Sequence, residues 1–378
     1  MLRPPTKKRR ELQSLPERRA LFSFYSFLST IHSRTGGAGA GTVGIFHHTD
    51  SDGMSSGILL QHLVQHATGI IPQLYPTEYS GIQEGLPLLH ITTGNLTHAL
   101  FVDLAIDEQL PFLKKLDKIV SWYLIDHHEL YHDRPNILKP QKFTTIPGGS
   151  YPCAKLVYDI APPDAFRGKE WLACIGIIGD MGMKQWEPFL AETYKKNKWK
   201  IAKNYYDTIL GTVCKMITSV EATKSLPALY HLSTLLSKSK SPNDIIKSSA
   251  LKKIHNKVDK EINGIVKGLS SRVKGKSFYA EIDSPYNIKG PVSTLFSLKH
   301  PSTTIFLANK EENTYRISGR RQDGKEAVST ILRTAVKGIP GAAGGGHPQA
   351  AGATVPEQHY ELFKRRIFAV LKLPFPKK

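Results

Sequence analysis

The residues of this 378-residue chain best suited to chemistry begin with His48-Thr49-Asp50-Ser51-Asp52-Gly53. This hexapeptide follows the apolar run Val43-Gly44-Ile45-Phe46 and precedes a helix-like stretch over 54–66. A strand entering a loop and then a helix accounts for the pattern. In an extended backbone His48, Asp50 and Asp52 share one face. Two carboxylates and an imidazole so placed repel unless a cation lies among them, and a divalent metal is the usual resolution. A polar turn with Asp52-Gly53 as its turn chemistry is the competing reading of the hexapeptide taken alone. The downstream segments Phe101-Val102-Asp103, Tyr123-Leu124-Ile125-Asp126-His127-His128 and Ile177-Ile178-Gly179-Asp180 shift the balance, because each ends an apolar strand-like or helical run. In an open α/β sheet, sites form where the carboxyl ends of parallel strands meet. His47 falls on the opposite strand face from His48.

Such convergence needs a sheet. Apolar strands are expected over 42–47, 70–75, 99–103 and 119–125, alternating with helices over 54–66, 108–116, 152–160 and 169–179. That alternation predicts a parallel sheet flanked by helices. An amphipathic helix over 17–33 precedes it, followed by Thr35-Gly36-Gly37-Ala38-Gly39-Ala40-Gly41. This glycine-rich stretch lies before the strand and lacks the Lys and Ser/Thr of a phosphate loop, so it reads as a linker. From 184 helical spacing dominates, and an α/β pattern returns from 276. The later strands are expected over 277–282, 303–308 and 314–319, and the helices over 326–337 and 357–371. The predicted architecture is α/β: a parallel-sheet domain over 41–183, a basic helical connector over 184–272, and a smaller α/β C-terminal domain over 273–378 across a cleft. A basic tail, helix and linker occupy 1–40.

The formal net charge of +19 points to a polyanionic partner, single-stranded nucleic acid before an anionic membrane surface. Residues 191–260 hold fourteen lysines, no arginine and five acids, a local balance of +9, with Tyr194, Trp199, Tyr205 and Tyr206 interleaved. Cationic residues with stacking rings are the composition of a single-strand groove; ordinary core packing is the alternative for each ring. No apolar stretch has membrane-spanning length. Cys153, Cys174 and Cys214, scattered and odd in number, fit buried thiols in a reducing compartment and give no cysteine zinc site. The N-terminus lacks the apolar core of a secretory signal, so a cytoplasmic location is expected; Lys7-Lys8-Arg9-Arg10 leaves the nucleus or a nucleic-acid-binding arm as alternatives.

The ordered motifs, with Asp126-His127-His128 among them, resemble the DHH phosphoesterase superfamily. Gly344-Gly345-Gly346-His347-Pro348-Gln349-Ala350-Ala351-Gly352 resembles the signature of the DHH-associated C-terminal domain. The matches span about 41–183 and 273–378. The resemblance implies two metal ions clamping the attacking and leaving oxygens at phosphorus. His48, Asp50 and Asp103 would hold one, and Asp52, Asp103, His127 and Asp180 the other, with Asp103 bridging. Imidazole and carboxylate ligands suit Mn²⁺, with Mg²⁺ or Co²⁺ as substitutes.

Asp126 is expected to orient the histidines, leaving His128 to contact phosphate or assist proton transfer; these two are the catalytic candidates. Ser318, Arg320, Gly345, Gly346 and His347 carry over as substrate-binding, and Arg321 does not. Gly344-Gly345-Gly346 would offer consecutive N–H groups as an anion-binding concavity. The expected function is that of a RecJ-like exonuclease of single-stranded DNA or RNA, acting in repair or replication. A nanoRNase or 3′-phosphoadenosine 5′-phosphate phosphatase is the alternative within the enzymes. A replisome-associated scaffold, or a nuclease that docks on replisome or repair proteins, is the alternative outside them. Polarity, DNA versus RNA preference and oligomeric state are not encoded in any motif.

Overall fold

The computed structural model describes residues 15–34, 42–346 and 348–375. The Lys7-Arg10 cluster, the 35–41 linker and His347 lie outside the described residues. The chain divides into two compact units, one from residues up to Glu221 and from Ser225 to Lys253, the other from Ala222 to Lys224 and from Ile254 onward.

In the first unit, α1 (Leu15–Arg34), β1 (Thr42–His47), α2 (Ser51–Thr68), β2 (Gln73–Pro76), α3 (Tyr79–Gln83), α4 (Leu86–Thr93), β3 (Leu96–Val102), α5 (Leu110–Ile119), β4 (Ser121–Ile125) and β5 (Ile137–Leu138) precede a helical run. That run comprises α6 (Cys153–Ile160), α7 (Glu170–Gly179), α8 (Met183–Lys196), α9 (Ile209–Ala222), α10 (Leu226–Lys238) and α11 (Pro242–Ile246), and the unit boundary falls within α12 (Ser249–Ser270). The strands form one sheet in the order β2-β1-β3-β4-β5, every pair parallel. A parallel sheet is buried on both faces, so its strands read as continuous apolar runs. Val43, Ile45, Phe46, Leu100, Phe101 and Leu124 are buried accordingly. Phe46 ties three strands together, its ring stacked on Tyr75 of β2 at 4.8 Å and on Phe101 of β3 at 5.0 Å. Asp50 caps α2 by accepting the Gly53 N–H at 2.8 Å, and α2 packs against α6 and α7.

The second unit continues with β6 (Ser277–Glu281), α13 (Lys289–Lys299), β7 (Thr304–Glu311), β8 (Thr314–Arg320), α14 (Val328–Val336), β9 (Ala343–Gly346), β10 (Ala350–Pro356) and α15 (Tyr360–Leu371). Its sheet runs β6-β7-β8-β10-β9, parallel at β6/β7 and antiparallel elsewhere. α13, β9 and β10 have no counterpart among the expected elements. Gly290-Pro291 at the start of α13 reads locally as a turn, and the Gly and Ala of β9 and β10 carry little strand propensity. Only pairing partners distant in sequence make these segments regular.

The three cysteines are buried and unpaired. Of the interleaved aromatics, Tyr194 is fully buried, edge-on to Trp199 and Tyr205 at 5.7 and 5.5 Å, and the Tyr206 hydroxyl donates to the Ile178 carbonyl at 2.9 Å. These rings serve packing, whereas all fourteen lysines of 191–260 are exposed. No helix among the described residues is long and apolar enough to cross a membrane. Phe46→Ala, which removes a ring shared by three strands, is expected to destabilise the first unit by about 3–5 kcal/mol, read as a lower urea midpoint with unchanged slope.

Candidate metal centre

The carboxyl ends of β1, β3 and β4 deliver His48 and Asp50, Asp103, and Asp126 to His128, while Asp180 follows the last residue of α7. Asp103 lies at the middle of the cluster. Its Oδ1 is 3.3 Å from His127 Nε2 and its Oδ2 3.9 Å from His48 Nδ1. His48 Nδ1 is also 3.0 Å from Asp50 Oδ2, and His127 Nε2 is 3.4 Å from Asp180 Oδ2. Asp103 has φ of +58°, a left-handed conformation sparsely populated by non-glycine residues. Its N–H donates to the Ile125 carbonyl of β4 at 3.1 Å, so the sheet itself holds the conformation, as is usual where strain serves a site.

Asp52 is held differently. Its two oxygens accept N–H groups of Cys153 and Ala154 at 2.6 and 2.8 Å, at the N-terminus of α6. Each carboxylate oxygen has a further lone pair, so this anchoring leaves Asp52 able to bind a cation. Gly176 makes the room, since a Cβ there would stand 2.3 Å from Asp52 Oδ1.

Three sets of donor atoms lie within 4.8 Å of one another: His48, Asp50 and Asp103; Asp52, Asp103, His127 and Cys153; and Asp103, Asp126 and His128. Asp103 belongs to all three. Cys153, Tyr79, Glu78 and Glu221 are neighbours that sequence reasoning missed. Cys153 comes to the cluster as the first residue of α6, and its scattered position in the chain carried no signal. The Tyr79 ring lies 5.5 Å from that of His48 and 6.4 Å, edge-on, from that of His128. Glu78 accepts the Thr49 hydroxyl. His47 is fully buried behind β1, its Nδ1 2.8 Å from the His48 carbonyl, and burial lowers it to about 4.

The electrostatics test whether a cation fits. Burial, then the charges of Asp50 and Asp52, push Asp103 up to about 7. Burial with Asp180 pushes Asp52 to about 8, and burial with Asp50 and Asp103 pushes Asp180 to about 7. Glu221 rises to about 8 through burial and Asp50. Burial alone would lower His48 and His127, yet the surrounding carboxylates hold both well above the usual range. Asp50 is held below its usual range because His48 outweighs its burial. The cluster is therefore balanced by bound protons that a cation could displace, and its oxygen and imidazole donors fit a hard or borderline divalent ion.

His128 stands at the edge of the cluster with its Nδ1 2.7 Å from Asp126 Oδ1. Asp126 is fully buried and held below the usual carboxylate range, its burial outweighed by His128 and then Lys139.

In the second unit Ser318 of β8 is buried, its hydroxyl 2.8 Å from that of Ser293 on α13. The half-buried Arg320 reaches Thr294 Oγ1 at 3.5 Å and its neighbour's Gly319 carbonyl at 2.9 Å, and makes no ion pair among the described residues. Burial lowers it, and burial with Arg316, Lys224 and Arg320 lowers Lys289 to about 8. Arg321, by contrast, grips Asp323 through two bonds of 2.6 and 3.0 Å and so serves structure. The expected concavity at Gly344-Gly345-Gly346 is corrected: these residues form edge strand β9, with Gly346, Gly345 and Gly344 paired to Ala351, Gly352 and Ala353. Gly346 alone of the three has positive φ, +121°.

The raised groups set a pH dependence. The unfolded chain releases carboxyl protons near pH 4 and histidine protons near 6.5, whereas the folded, metal-free protein keeps those of Asp52, Asp103, Asp180, His48 and His127 to higher pH. The stabilisation from depressed Asp50 and Asp126 is complete by about pH 5. Stability of the metal-free protein is therefore expected to fall from pH 5 to pH 8, and Mn²⁺ to raise the melting temperature more at pH 8 than at pH 6, because metal displaces bound protons. Melting curves in chelator and in Mn²⁺ check this; a larger Mn²⁺ effect at pH 6 would contradict it.

Residues 274–373 match the family model of the DHHA1 domain. No curated protein matches the sequence. Among solved structures, RecJ from Thermus thermophilus in complex with Mn²⁺ superposes with a TM-score of 0.67 at 15% identity, covering 95% of this chain and 56% of that one. This chain thus spans little more than half of that RecJ. An exonuclease RecJ bound to manganese matches with a TM-score of 0.63 at 16% identity over 96% of both chains. CDC45 from Entamoeba histolytica matches at 0.52 and 9% identity, over 93% of this chain and 99% of that one. The chain thus contains a DHHA1 domain and shares the fold of the RecJ structures.

Proposed function

We propose that this protein is a metal-dependent phosphodiesterase that shortens single-stranded DNA or RNA from an end, a RecJ-like exonuclease. The observation that carries the reading is the convergence of His48, Asp50, Asp103, His127 and Asp180 in one buried cluster, where burial and neighbouring charge raise Asp103 and Asp180 to about 7. A metal-binding cluster in a DHH fold is the setting of phosphoester hydrolysis, and both RecJ structures hold manganese.

His48, Asp50 and Asp103 would hold one ion, and Asp52, Asp103, His127 and Asp180 a second, with Mn²⁺ the preferred metal. Bound there, divalent ions supply neutralisation of the phosphate's negative charge and activation of water. Asp103 would contribute to both sites, since its two oxygens face different histidines. Asp126 occupies Nδ1 of His128, which leaves Nε2 to hold a phosphate oxygen or give a proton to the departing one. Ser318, Arg320 and Lys289 of the second unit bind substrate phosphate; Gly345, Gly346 and His347 are assigned the same task by the sequence resemblance alone. A half-buried guanidinium without a carboxylate partner is suited to such an anion. The exposed lysines over 191–260 add affinity for longer strands through counterion release. This charge favours a strand over the dinucleotide-sized substrates of nanoRNases. The likeness to CDC45 supports a second reading, a replisome subunit, with which a nuclease docked on replication or repair proteins is compatible.

End-labelled single-stranded DNA and RNA, compared with dinucleotides in Mn²⁺, test the reading. Stepwise shortening of the long strands is expected, and turnover of dinucleotides alone would replace it with the nanoRNase reading. Asp103→Ala removes several kcal/mol of charge stabilisation and is expected to lower kcat by about a thousandfold or more. Turnover within tenfold of the parent would overturn the shared-ligand role. Arg320→Ala, which deletes a charge-assisted hydrogen bond of about 1.5–3 kcal/mol, is expected to raise KM by about 10–100-fold, with bound metal unchanged by elemental analysis.

A further inference from the structure

Lys139 is fully buried, an unusual place for a lysine. It follows β5, and its ammonium donates to Asp107 Oδ1 at 2.8 Å and to the Glu129 carbonyl at 2.6 Å. It also stands 2.9 Å from Asp126 Oδ2, an ion pair without hydrogen-bond alignment. Two of its protons thus meet oxygen acceptors, and Asp126 Oδ2 is engaged by charge alone. Asp107 is equally buried, and its Oδ2 accepts the Tyr131 N–H at 3.0 Å. The strand end is tied to the same place, with the Asp126 N–H donating to the Leu138 carbonyl at 3.0 Å and Gln141 Nε2 to the His128 carbonyl at 2.9 Å.

A buried ion pair is commonly no more stabilising than apolar side chains of the same volume, so stability alone is a weak account of this lysine. What the ammonium does is geometric. It engages one oxygen of Asp126, and the other oxygen is thereby set 2.7 Å from His128 Nδ1. We infer that Lys139 is a positioning residue: acting through Asp126, it fixes the ring orientation of His128, with Nδ1 turned to Asp126, so that Nε2 is the nitrogen presented to substrate. This assignment rests on the phosphodiesterase reading for its consequence in catalysis, and on the buried chain Asp107–Lys139–Asp126–His128 for its geometry.

Lys139→Met alone would leave two buried carboxylates unbalanced and endanger folding. The informative variant is therefore Lys139→Met with Asp107→Asn, which removes one charge of each sign, with folding checked by its melting curve. Two readouts are made on the full chain: steady-state cleavage of a single-stranded oligonucleotide in Mn²⁺, and the ¹⁵N resonances of His128, assigned by comparison with His128→Ala. Outer partners of this kind typically govern 10–100-fold in activity. A fall in kcat of about that size is expected, with KM changed by less than about threefold, together with a shift of the His128 ring ¹⁵N signals as the Asp126 contact to Nδ1 loosens. A folded variant with unchanged kcat, or one whose kcat falls while the His128 signal stays as in the parent, overturns the assignment. If the parent itself cleaves nothing in Mn²⁺, the phosphodiesterase reading fails, and the His128 spectra of parent and variant still decide what Lys139 does.

Discussion

Mutual repulsion among buried carboxylates organises the first unit. Asp103, Asp52 and Asp180 are drawn together so closely that burial and one another's charge push all three toward or above neutrality, while His48 and His127 are held protonated by the same field. Such a cluster is unfavourable by itself and persists because the surrounding structure over-determines the position of each carboxylate. Phe46 stacked between Tyr75 and Phe101, the left-handed Asp103 tied to β4 and Asp52 held by the N-terminus of α6 keep the carboxylates from moving apart. A divalent ion held there would relieve that repulsion.

The parallel sheet explains why one place collects these groups. In a parallel sheet every strand ends on the same edge, so residues at three successive strand ends become neighbours however far apart they lie in the chain. The helices provide a second kind of support. α6 directs its first N–H groups at Asp52, where the helix dipole favours negative charge, and α7 passes close enough that Gly176 must lack a side chain. Asp180 arrives at the end of that same helix. Two helices and three strands thus share one electrostatic task.

The second unit divides its cations in an instructive way. Arg321 is consumed by Asp323 and Thr304, whereas Arg320, one residue earlier, has only neutral oxygen partners among the described residues. The alternation of side chains along a strand separates them, and the structure gives each a different environment: one internal brace and one guanidinium suited to an external anion.

Much of this was legible in the residues themselves. Apolar runs ending in Asp or His marked β1, β3 and β4 because a doubly buried strand must be apolar until it leaves the sheet, and the Ser-x-Arg and glycine-rich segments marked the second unit. The two-residue period of a strand separates His47, which is fully buried, from His48. Other features depended on contacts that no local pattern specifies. Lys139 after Ile137-Leu138 reads as an ordinary exposed lysine at a strand end, and only Asp107 and Asp126, brought from elsewhere in the chain, make its burial tolerable. Cys153 and Glu221 reach the cluster through helices whose placement is a matter of packing. Gly344-Gly345-Gly346 reads as a flexible loop, and becomes a strand because β10 lies beside it. Sequence by itself determined the period and the chemistry of each segment, which are local properties of neighbouring residues; the tertiary structure decided which charges are buried together, because burial and proximity are set by the whole chain.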